Sequence, residues 1–514
     1  MTQINIVVKW NGKKFDVEID TEESGQVLKS IMFSLTGVEP DRQKILIRGK
    51  TLKDDDPLSS YNIAPKQVLM MMGSLGESLK APEQPIKFIE DMSYEELNKS
   101  LKQPPGLINL GNTCYMSATI QCLLSIKELT SALNNNQAPK QSSDLKVKLT
   151  HSLRDLFESM NKKEGDVMPH VFLSSLRAVY PQFSEKDPRH NMYKQQDADE
   201  CWNGILSAVD QGVKTENNEP SFVSSHLRGE IVTTYSCIEA PDEPKTEHKE
   251  IFGKIDCRID KTVNYLQQGI KLSLSPKITK HSPTLNRDAE YMASSSISRL
   301  PVYLTVHYLR FFWKAKEAVD AKILKNVKFP FELDMSEFCT KELAEKVRPV
   351  RQHLLKLKEE KEERFKRQKI AKISQVDDPT ADSSSAGVSG ANPGKSEKSG
   401  ESSLVSASLD SIIDESLKQD VGCNPSGLYD LVAVLTHIGR NANSGHYIAW
   451  VRKMDIPEDA SAENSREDKP KESYWYKFDD DKVSIVNESE IYKLMGGGDW
   501  HTAYITLYKA KPLE

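Results

Sequence analysis

A cysteine stands at the start of a helix-forming segment in GLINLGNTCYMSATIQCLL, residues 106–124. The apolar residues of the segment recur at helical spacing, at Met116, Ile120, Leu123 and Leu124. Asn112 or Thr113 can cap the helix, which places Cys114 in its first turn, where the helix dipole and unpaired amides favour a thiolate. Cys114 is therefore a candidate nucleophile, although a buried cysteine more often only packs in a core.

Asn109 lies five residues before the cysteine. Attack of a thiolate on a carbonyl builds negative charge on the carbonyl oxygen, and a side-chain amide together with the Cys114 backbone N–H could receive that charge. Losing one such donor typically costs about 3 kcal/mol of barrier. The alternative is that Asn109 is a turn residue before Gly111, and the sequence leaves both interpretations open.

A cysteine nucleophile needs a base, and the segment LVAVLTHIGRNANSGHYIAWVRK contains two histidines. It predicts a strand that ends near His437, a loop rich in Gly, Asn and Ser, and a second strand that begins at His446. The alternation of LVAVLTH puts His437 inside a sheet, whereas a histidine at the mouth of a strand can face a cleft. We therefore favour His446. Downstream, YWYKFDDDKVSIV offers Asp479 and its two acidic neighbours to orient the imidazole.

Length and composition place these residues in a large globular protein. The chain has 514 residues, of which 38% are hydrophobic and 28% charged, and its formal net charge is −6. At about 100 to 200 residues per domain it holds more than one folded unit. The charge balance indicates no nucleic-acid partner, and no apolar run is long enough to span a membrane. Seven scattered cysteines without a signal peptide indicate reduced thiols and a cytoplasmic protein, with the nucleus left open.

The first residues predict a β-grasp. INIVVKW and KFDVEID alternate as strands around a turn at Asn11-Gly12, GQVLKSIMFSL has helical spacing, and short apolar runs follow. The stretch EPDRQKILIRGKTLKDDDPLSSYNI closely resembles ubiquitin, so residues 1–74 are similar to a ubiquitin-like domain. This copy lacks a terminal diglycine, which favours a docking module over a tag. Leu46 and Met71 sit where ubiquitin presents its apolar patch, and we expect both to be exposed rather than to face the core.

The remainder divides into a polar linker, residues 75–100, and one large domain, residues 101–510, with two insertions. The first insertion, near 341–423, opens with a charged helix whose oppositely charged residues recur four apart, at Glu360 and Arg364, Glu362 and Lys366, and Glu363 and Arg367. The second half of that insertion has no aromatic residue, which predicts disorder. The second insertion, 454–473, has similar composition. Evenly interleaved acidic residues argue against a nucleic-acid patch on the helix.

Five segments in this order resemble the sequence boxes of ubiquitin-specific proteases: GLINLGNTCYMSATIQCLL, QQDADECW, LPVYLTVHYLRF, SGHYIAWV and WYKFDD. With the ubiquitin-like segment in front, the chain is similar to the proteasome-associated members of that family. The resemblance implies an α+β protein with an N-terminal β-grasp and a papain-like protease domain of thumb, palm and fingers. It implies that Cys114 is the nucleophile, His446 the general base and acid, Asp479 the orienting carboxylate, Asn109 the oxyanion donor and Asp480 a supporting neighbour.

The box QQDADECW could also be read as paired carboxylates for acid–base work or metal binding. The resemblance instead implies that Gln195 and Asp197 hold the backbone of the ubiquitin tail, while Glu200 is a first-turn helix charge. It implies that Tyr447 lines a channel narrow enough to admit the terminal glycines and reject side chains.

Many relatives carry zinc on two CxxC pairs, and this chain departs from that pattern. Cys237 is followed three residues later by Ala240, and Cys257 by Asp260. Because a closed structural site needs four ligands, we expect no metal and no other cofactor. The glycines of GGGDWH lack the lysine of a phosphate-binding loop.

The resemblance implies a thiol-dependent ubiquitinyl hydrolase that acts on ubiquitin conjugates and chains. Its ubiquitin-like domain would tether it to the proteasome regulatory particle, which raises its local concentration near substrates. Loops near 311–316 and 440–445 would cover the cleft until the proteasome is bound. The alternative is a non-catalytic ubiquitin or proteasome adaptor that keeps the fold for binding. Loss of the Cys, His or Asp would have indicated an adaptor, and the sequence has all three.

Overall fold

The computed structural model describes residues 3–74, 103–136, 138–139, 142–162, 165–213, 220–314, 319–374, 411–441, 444–453, 473–498 and 500–513. The chain divides into two compact units, Met1–Ser93 and Tyr94–Glu514. Within the described ranges, no helix has both the length and the apolar character that crossing a membrane requires. The predicted linker, the second half of the first insertion and nearly all of the second insertion lie outside the described residues.

The N-terminal unit is a β-grasp, as the sequence predicts. Its elements in chain order are β1 (Gln3–Trp10), β2 (Lys13–Asp20), α1 (Gly25–Thr36), β3 (Lys44–Ile47), β4 (Lys50–Thr51) and β5 (Val68–Met72). The sheet order is β2-β1-β5-β3-β4, with β1 parallel to β5. Leu28 and Met32 of α1 pack with alternate strand residues into one core. Burial of these apolar faces stabilises the small domain.

Strand alternation decides which side chains of β5 reach solvent. Val68, Met70 and Met72 are 56%, 54% and 47% exposed, whereas Met71 is only 3% exposed. Leu46 pairs with Met70 across the sheet and is partly exposed. The expectation of an exposed Met71 is wrong, because successive side chains of a strand point to opposite faces and Met71 has the parity of the core. The exposed apolar face consists of Leu46, Val68, Met70 and Met72.

The second unit begins with helices that form the thumb: α2 (Cys114–Leu124), α3 (Lys127–Asn134), α4 (Leu145–Lys162), α5 (His170–Val179), α6 (Ala198–Gly212) and α7 (Phe222–His226). Every residue of α2 from Cys114 to Leu123 is buried. This helix is the centre of a core that also includes Trp202 of α6. A helix that is buried on all sides needs mostly apolar or small residues, and the one long polar side chain of α2, Gln121, donates 3.0 Å to the Pro105 carbonyl.

The strands of the second unit are, in chain order, β6 (Gly229–Cys237), β7 (Thr246–Phe252), β8 (Ile255–Arg258), β9 (Lys277–Ser282), β10 (Arg287–Arg299), β11 (Tyr303–Leu309), β12 (Phe311–Lys314), β13 (Val319–Lys322), β14 (Glu332–Asp334), β15 (Leu428–Asn441), β16 (Ser444–Arg452), β17 (Tyr474–Asp479), β18 (Lys482–Asn487) and β19 (Thr502–Ala510). The helices among them are α8 (Leu266–Leu274), α9 (Lys341–Ser374), α10 (Glu415–Gln419) and α11 (Glu488–Tyr492).

These strands build the palm and the fingers. The palm is a sheet in the order β18-β17-β16-β15-β19-β11-β8, with β14 also paired to β15. The fingers are a second sheet, β7-β6-β10-β9, and β12 and β13 form a separate hairpin. One face of the palm packs on α2 and the thumb, and the other face packs on α8 and the start of α9. The thumb helix that begins at Cys114 therefore lies directly against β16.

Helix α9 begins where the sequence places the first insertion, and its first turns belong to the core. Leu343, Val347, Val350 and Leu354 are all buried, although Pro349 lies inside the helix. Further along, the predicted pair of Glu363 and Arg367 forms with an N···O distance of 3.1 Å. The helix therefore changes from a packed amphipathic segment to an exposed charged one along its length.

Candidate active site

Cys114 is the first residue of α2, where the thumb packs against β16 of the palm, beside a cleft lined by Asn112, Gln195 and Gly445. Gly111 and Asn112 have φ values of +96° and +52°, so the chain turns sharply before the helix begins. Thr113 is the N-cap residue, but its side chain does not cap the helix. Its hydroxyl instead accepts a hydrogen bond of 2.9 Å from the Leu110 N–H. The cysteine therefore sits in the first turn, as expected, and the Thr113 side chain takes none of the backbone N–H groups of that turn.

His446 and Asp479 meet where two neighbouring strands of the palm end. Strand β16 runs antiparallel to β17, and the pairing of Ala449 with Phe478 puts the start of one strand beside the end of the other. His446 Nε2 and Asp479 Oδ1 are 2.6 Å apart. Because Nε2 is engaged with the carboxylate, Nδ1 is the ring atom left for the thiol. The structure thus brings together three residues that are far apart in sequence.

The electrostatics of this group are those of a charged pair. The pKa of His446 is raised to about 10, first by its hydrogen bond with Asp479 and then by one with Cys114. The His446 hydrogen bond lowers the pKa of Asp479, against the opposing effect of burial. An imidazolium held between a carboxylate and a sulfur stabilises a thiolate, which is the nucleophilic form of cysteine.

Asn109 lies in the segment that enters the domain beside β17. The Leu107 N–H donates 2.9 Å to the carbonyl of Asp480, and the Asn109 amide donates 2.8 Å to the Asp480 carboxylate. The Asn109 Oδ1 accepts from the N–H groups of Gly111 and Thr113. Asn109 therefore organises the turn before the helix, and one hydrogen of its amide nitrogen is committed to Asp480. Burial raises the pKa of that carboxyl, while the Asn109 hydrogen bond opposes the rise.

The residues of the QQDADECW box take different positions around the cleft. The Gln195 Nε2 lies 3.6 Å from the Cys114 sulfur. Asp197 is the N-cap of α6, accepting 2.6 Å from the Asp199 N–H and 2.7 Å from the Tyr504 hydroxyl. Burial raises the pKa of Asp197. Asp197 is thus fastened to the helix and to the palm. Its partners are an N–H and a hydroxyl, and not the second carboxylate that paired acid–base catalysis would need.

Tyr447 and His437 lie under the cleft floor. Tyr447 is 1% exposed, its hydroxyl is buried, and its ring packs on His437 and Tyr504. Burial raises the pKa of the Tyr447 phenol. His437 is fully buried, and its pKa falls to about 3 because of burial and of the nearby Lys322 ammonium. A histidine held neutral in the sheet interior matches the sheet position that the alternation of LVAVLTH predicts.

Two residues that the sequence analysis did not name also shape the site. Tyr504 of β19 ties the palm to Asp197, and Lys254 pairs with Asp199 on α6. Each of these contacts joins residues that are distant in sequence. Tyr504 lies in a strand in which the residues on either side of it are also buried, so no local pattern distinguishes it. Their contacts fix the start of α6 against the palm.

One cluster within the described ranges has the spacing of metal ligands: His446, Asp479 and Asp480, whose ligand atoms lie within 4.8 Å of one another. The His446–Asp479 hydrogen bond already accounts for two of its members. Cys237 and Cys257 are buried in different sheets, the fingers and the palm. Neither cysteine belongs to a cluster of potential metal ligands in the part of the chain that the structure describes.

A family model described as ubiquitin carboxyl-terminal hydrolase matches residues 105–508, and a ubiquitin family model matches residues 4–76. The chain belongs to the ubiquitin carboxyl-terminal hydrolase family. It combines that domain with an N-terminal ubiquitin-like domain and is a cysteine deubiquitinase.

Curated relatives match this hydrolase along nearly its whole length. It is 41% identical to ubiquitin carboxyl-terminal hydrolase 6 of Schizosaccharomyces pombe, with 99% of each chain covered. It is 39% identical to a protein of the same name from Arabidopsis thaliana, with 98% of each covered. It is 36% identical to ubiquitin carboxyl-terminal hydrolase 14 of Caenorhabditis elegans, covering 99% of this chain and 93% of that one.

Proposed function

We propose that this hydrolase is a proteasome-associated deubiquitinase that cleaves the bond after the ubiquitin C-terminal glycine and releases ubiquitin from conjugates and chains. The observation that carries the proposal is the 2.6 Å hydrogen bond between His446 and Asp479 beside the Cys114 thiol. In this proposal Cys114 is the nucleophile, His446 the base and acid, and Asp479 the group that orients the ring.

The proposed chemistry has two stages. The Cys114 thiol gives its proton to His446, and the sulfur attacks the glycine carbonyl carbon. A C–S bond forms and the π electrons move to oxygen, where Asn109 and the Cys114 N–H receive the charge. The carbonyl then re-forms, the C–N bond breaks, and the leaving amine takes a proton from His446. Water, deprotonated by His446, finally cleaves the thioester and returns the thiol.

The ubiquitin tail would approach Cys114 past Gln195, Asp197 and Tyr447. Gln195 lies beside the Cys114 sulfur, and the buried Tyr447 ring packs on Tyr504, the hydrogen-bond partner of Asp197. In the proposal these residues bound a passage that only a chain without side chains enters, which selects glycine.

The experiment compares Cys114→Ala with Cys122→Ala, using hydrolysis of a ubiquitin C-terminal amide. Cys122 lies in the same helix and is buried, and burial raises its pKa beyond the ordinary range. We expect no detectable turnover in the first variant and near-normal turnover per folded molecule in the second. Persistent turnover in Cys114→Ala would reject Cys114 as the nucleophile, whereas an inactive wild type would favour the adaptor alternative.

Proteasome docking is assigned to the exposed apolar face of Leu46, Val68, Met70 and Met72. An apolar surface on so small a domain supports an interface, and such a tether would make the protein proteasome-associated in the cytoplasm or nucleus. The matched variants are Met70→Asp on the face and Ser30→Asp on the exposed side of α1. We expect the first alone to lose binding to purified proteasome. Equal proteasome binding by the two variants would contradict the assignment of docking to this face.

The hairpin β12–β13 and the loop before His446 are assigned to cover the cleft until the proteasome is bound. Phe311 of the hairpin packs on His437 and Tyr504, close to the cleft floor. Residues 315–318 and 442–443 of these loops lie outside the described residues. Turnover should rise when purified proteasome is added, and equal turnover with and without it would contradict this assignment.

A further inference from the structure

The side-chain amide of Gln195 is placed on the reacting atom of the site. Its Nε2 lies 3.6 Å from the Cys114 sulfur, although 81 residues separate the two in sequence. An amide N–H that points at a sulfur stabilises the thiolate more than the thiol, because hydrogen bonds to a charged acceptor are the stronger ones. A residue whose only task was to hold the substrate tail would gain nothing from this position.

Contacts on both sides of Gln195 fix its position. Two residues earlier, the Tyr193 carbonyl accepts 2.9 Å from the side-chain amide of Asn112, in the turn just before the cysteine. Two residues later, Asp197 caps α6 and accepts from the Tyr504 hydroxyl of the palm. The segment is therefore tied to the cysteine turn at one end and to the palm at the other. Such double anchoring is what a preorganised hydrogen-bond donor requires.

The first candidate for the oxyanion donor is already heavily engaged. The Asn109 amide nitrogen donates to Asp480, and its oxygen accepts three hydrogen bonds, from the Gly111 N–H and from the Thr113 N–H and hydroxyl. The Asn109 side chain thus keeps one amide hydrogen for the oxyanion, and it cannot turn further toward a new acceptor without breaking the turn before the helix. Gln195 carries the same functional group on a longer side chain, already beside the sulfur.

We propose that Gln195 is a catalytic hydrogen-bond donor, whose Nε2 donates to the Cys114 thiolate in the resting enzyme and to the oxyanion during attack. When the C–S bond forms, the negatively charged oxygen is attached to the carbon bonded to sulfur, so it lies two bonds from the sulfur. Because the Gln195 Nε2 is already 3.6 Å from the sulfur, a small side-chain rotation brings it to that oxygen. This inference rests on the proposed function, because it requires that Cys114 attacks the glycine carbonyl.

Two roles of Gln195 predict different losses. A group that only holds the tail binds ground state and transition state alike, so its removal weakens ubiquitin binding and raises KM. A group that donates to the oxyanion acts mainly in the transition state, so its removal lowers kcat. Ubiquitin aldehyde separates the roles further, because its thiol adduct carries an oxygen at the oxyanion position.

The experiment uses the full chain with Gln195→Ala and the neighbouring control Gln196→Ala. The Gln196 amide donates to the Gln182 carbonyl, away from the sulfur. Steady-state hydrolysis of a ubiquitin C-terminal amide gives kcat and KM, and thermal unfolding verifies the fold. The affinity for ubiquitin is measured in a Cys114→Ala background, with and without Gln195→Ala, and affinity for ubiquitin aldehyde is measured with the thiol present.

We expect Gln195→Ala to lower kcat by about 100-fold and to weaken ubiquitin aldehyde binding about as much, while ubiquitin affinity changes less than about 3-fold. Gln196→Ala should leave kcat within about 3-fold of the wild type. A loss of ubiquitin affinity as large as the loss of aldehyde affinity, or an unchanged kcat, would overturn the inference. Both outcomes leave wild-type hydrolysis intact, whereas an inactive wild type would reject the proposed function itself.

Discussion

His437 and His446 lie on adjacent strands of the palm, where His437 pairs with Tyr447 and Ile438 pairs with His446. His437 is enclosed by Tyr447 and Phe311, and its pKa falls to about 3. His446 opens to the cleft beside Asp479, and its pKa rises to about 10. One residue step along the sheet thus separates a neutral packing group from a charged one, because burial and a carboxylate shift the same side chain in opposite directions.

The largest effect should come from removing the histidine at the cleft. We expect His446→Ala to lower kcat by about 1,000-fold or more, because the thiol loses its proposed base and the leaving amine loses its proposed acid. His437→Gln should keep kcat within about 10-fold per folded molecule, since that residue only packs. Hydrolysis of a ubiquitin C-terminal amide measures both. Comparable losses of kcat in the two variants would contradict the assignment of different roles to His446 and His437.

A smaller loss should follow when the carboxylate beside His446 is neutralised. Asp479→Asn is expected to lower kcat by about 100-fold or more, because the ring loses its orientation and its charge partner. The pKa of His446 should fall from about 10 toward its ordinary value of 6.5. NMR titration of the ring measures that fall, with Asp481→Asn, an exposed neighbour, as the control. A ring pKa unchanged by Asp479→Asn would contradict the pairing.

Local sequence patterns predict much of the fold and the positions of several of these residues. The β-grasp follows from strand alternation and turn residues, and the placement of Cys114 in a first helical turn follows from helical periodicity and capping residues. Alternation also put His437 inside the sheet. Patterns failed where one residue of register decides the outcome, as with Met71, which faces the core while Met70 and Met72 face solvent.

Long-range contacts were beyond sequence patterns altogether. The approach of Gln195 to the Cys114 sulfur depends on how α6 packs against the palm, through Tyr504 and Asp197. The engagement of Asn109 with Asp480 depends on the entry of the chain beside β17. Neither contact leaves a periodic signal, because each joins residues from distant segments whose meeting is set by the tertiary fold.

The two histidines should also affect stability at opposite ends of the pH range. Between pH 3 and 6.5 the unfolded chain protonates His437 and the folded chain does not, so this contribution to stability is complete above 6.5 and is lost as pH falls. The raised pKa of His446 contributes stability below 6.5 that is lost as pH rises toward 10. Thermal unfolding against pH should therefore differ from wild type on the acid side for His437→Gln. For His446→Gln the unfolding temperature should differ from that of the wild type on the alkaline side. If both variants differed from the wild type on the same side of the pH range, the two pKa assignments would be contradicted.

The smallest effect should come from the ammonium beside the buried ring. Lys322 Nζ lies 3.1 Å from His437 Nδ1 and donates to the His437 carbonyl, and its charge is the second cause of the low pKa. Lys322→Met should raise the pKa of His437 while burial still holds it below 6.5. NMR titration of the ring measures this change. A further fall in the pKa of His437 would show that the ammonium does not act as described.

The central claim is that Cys114 reacts through His446 and not through His437. The direct measurement is the rate at which a ubiquitin-based electrophilic probe labels the wild type, His446→Gln and His437→Gln, with the modified cysteine identified by peptide mapping. We expect an adduct on Cys114, formed about 100-fold or more slowly in His446→Gln and near the wild-type rate in His437→Gln. Equal labelling of His446→Gln and wild type, or an adduct on another cysteine, would contradict it.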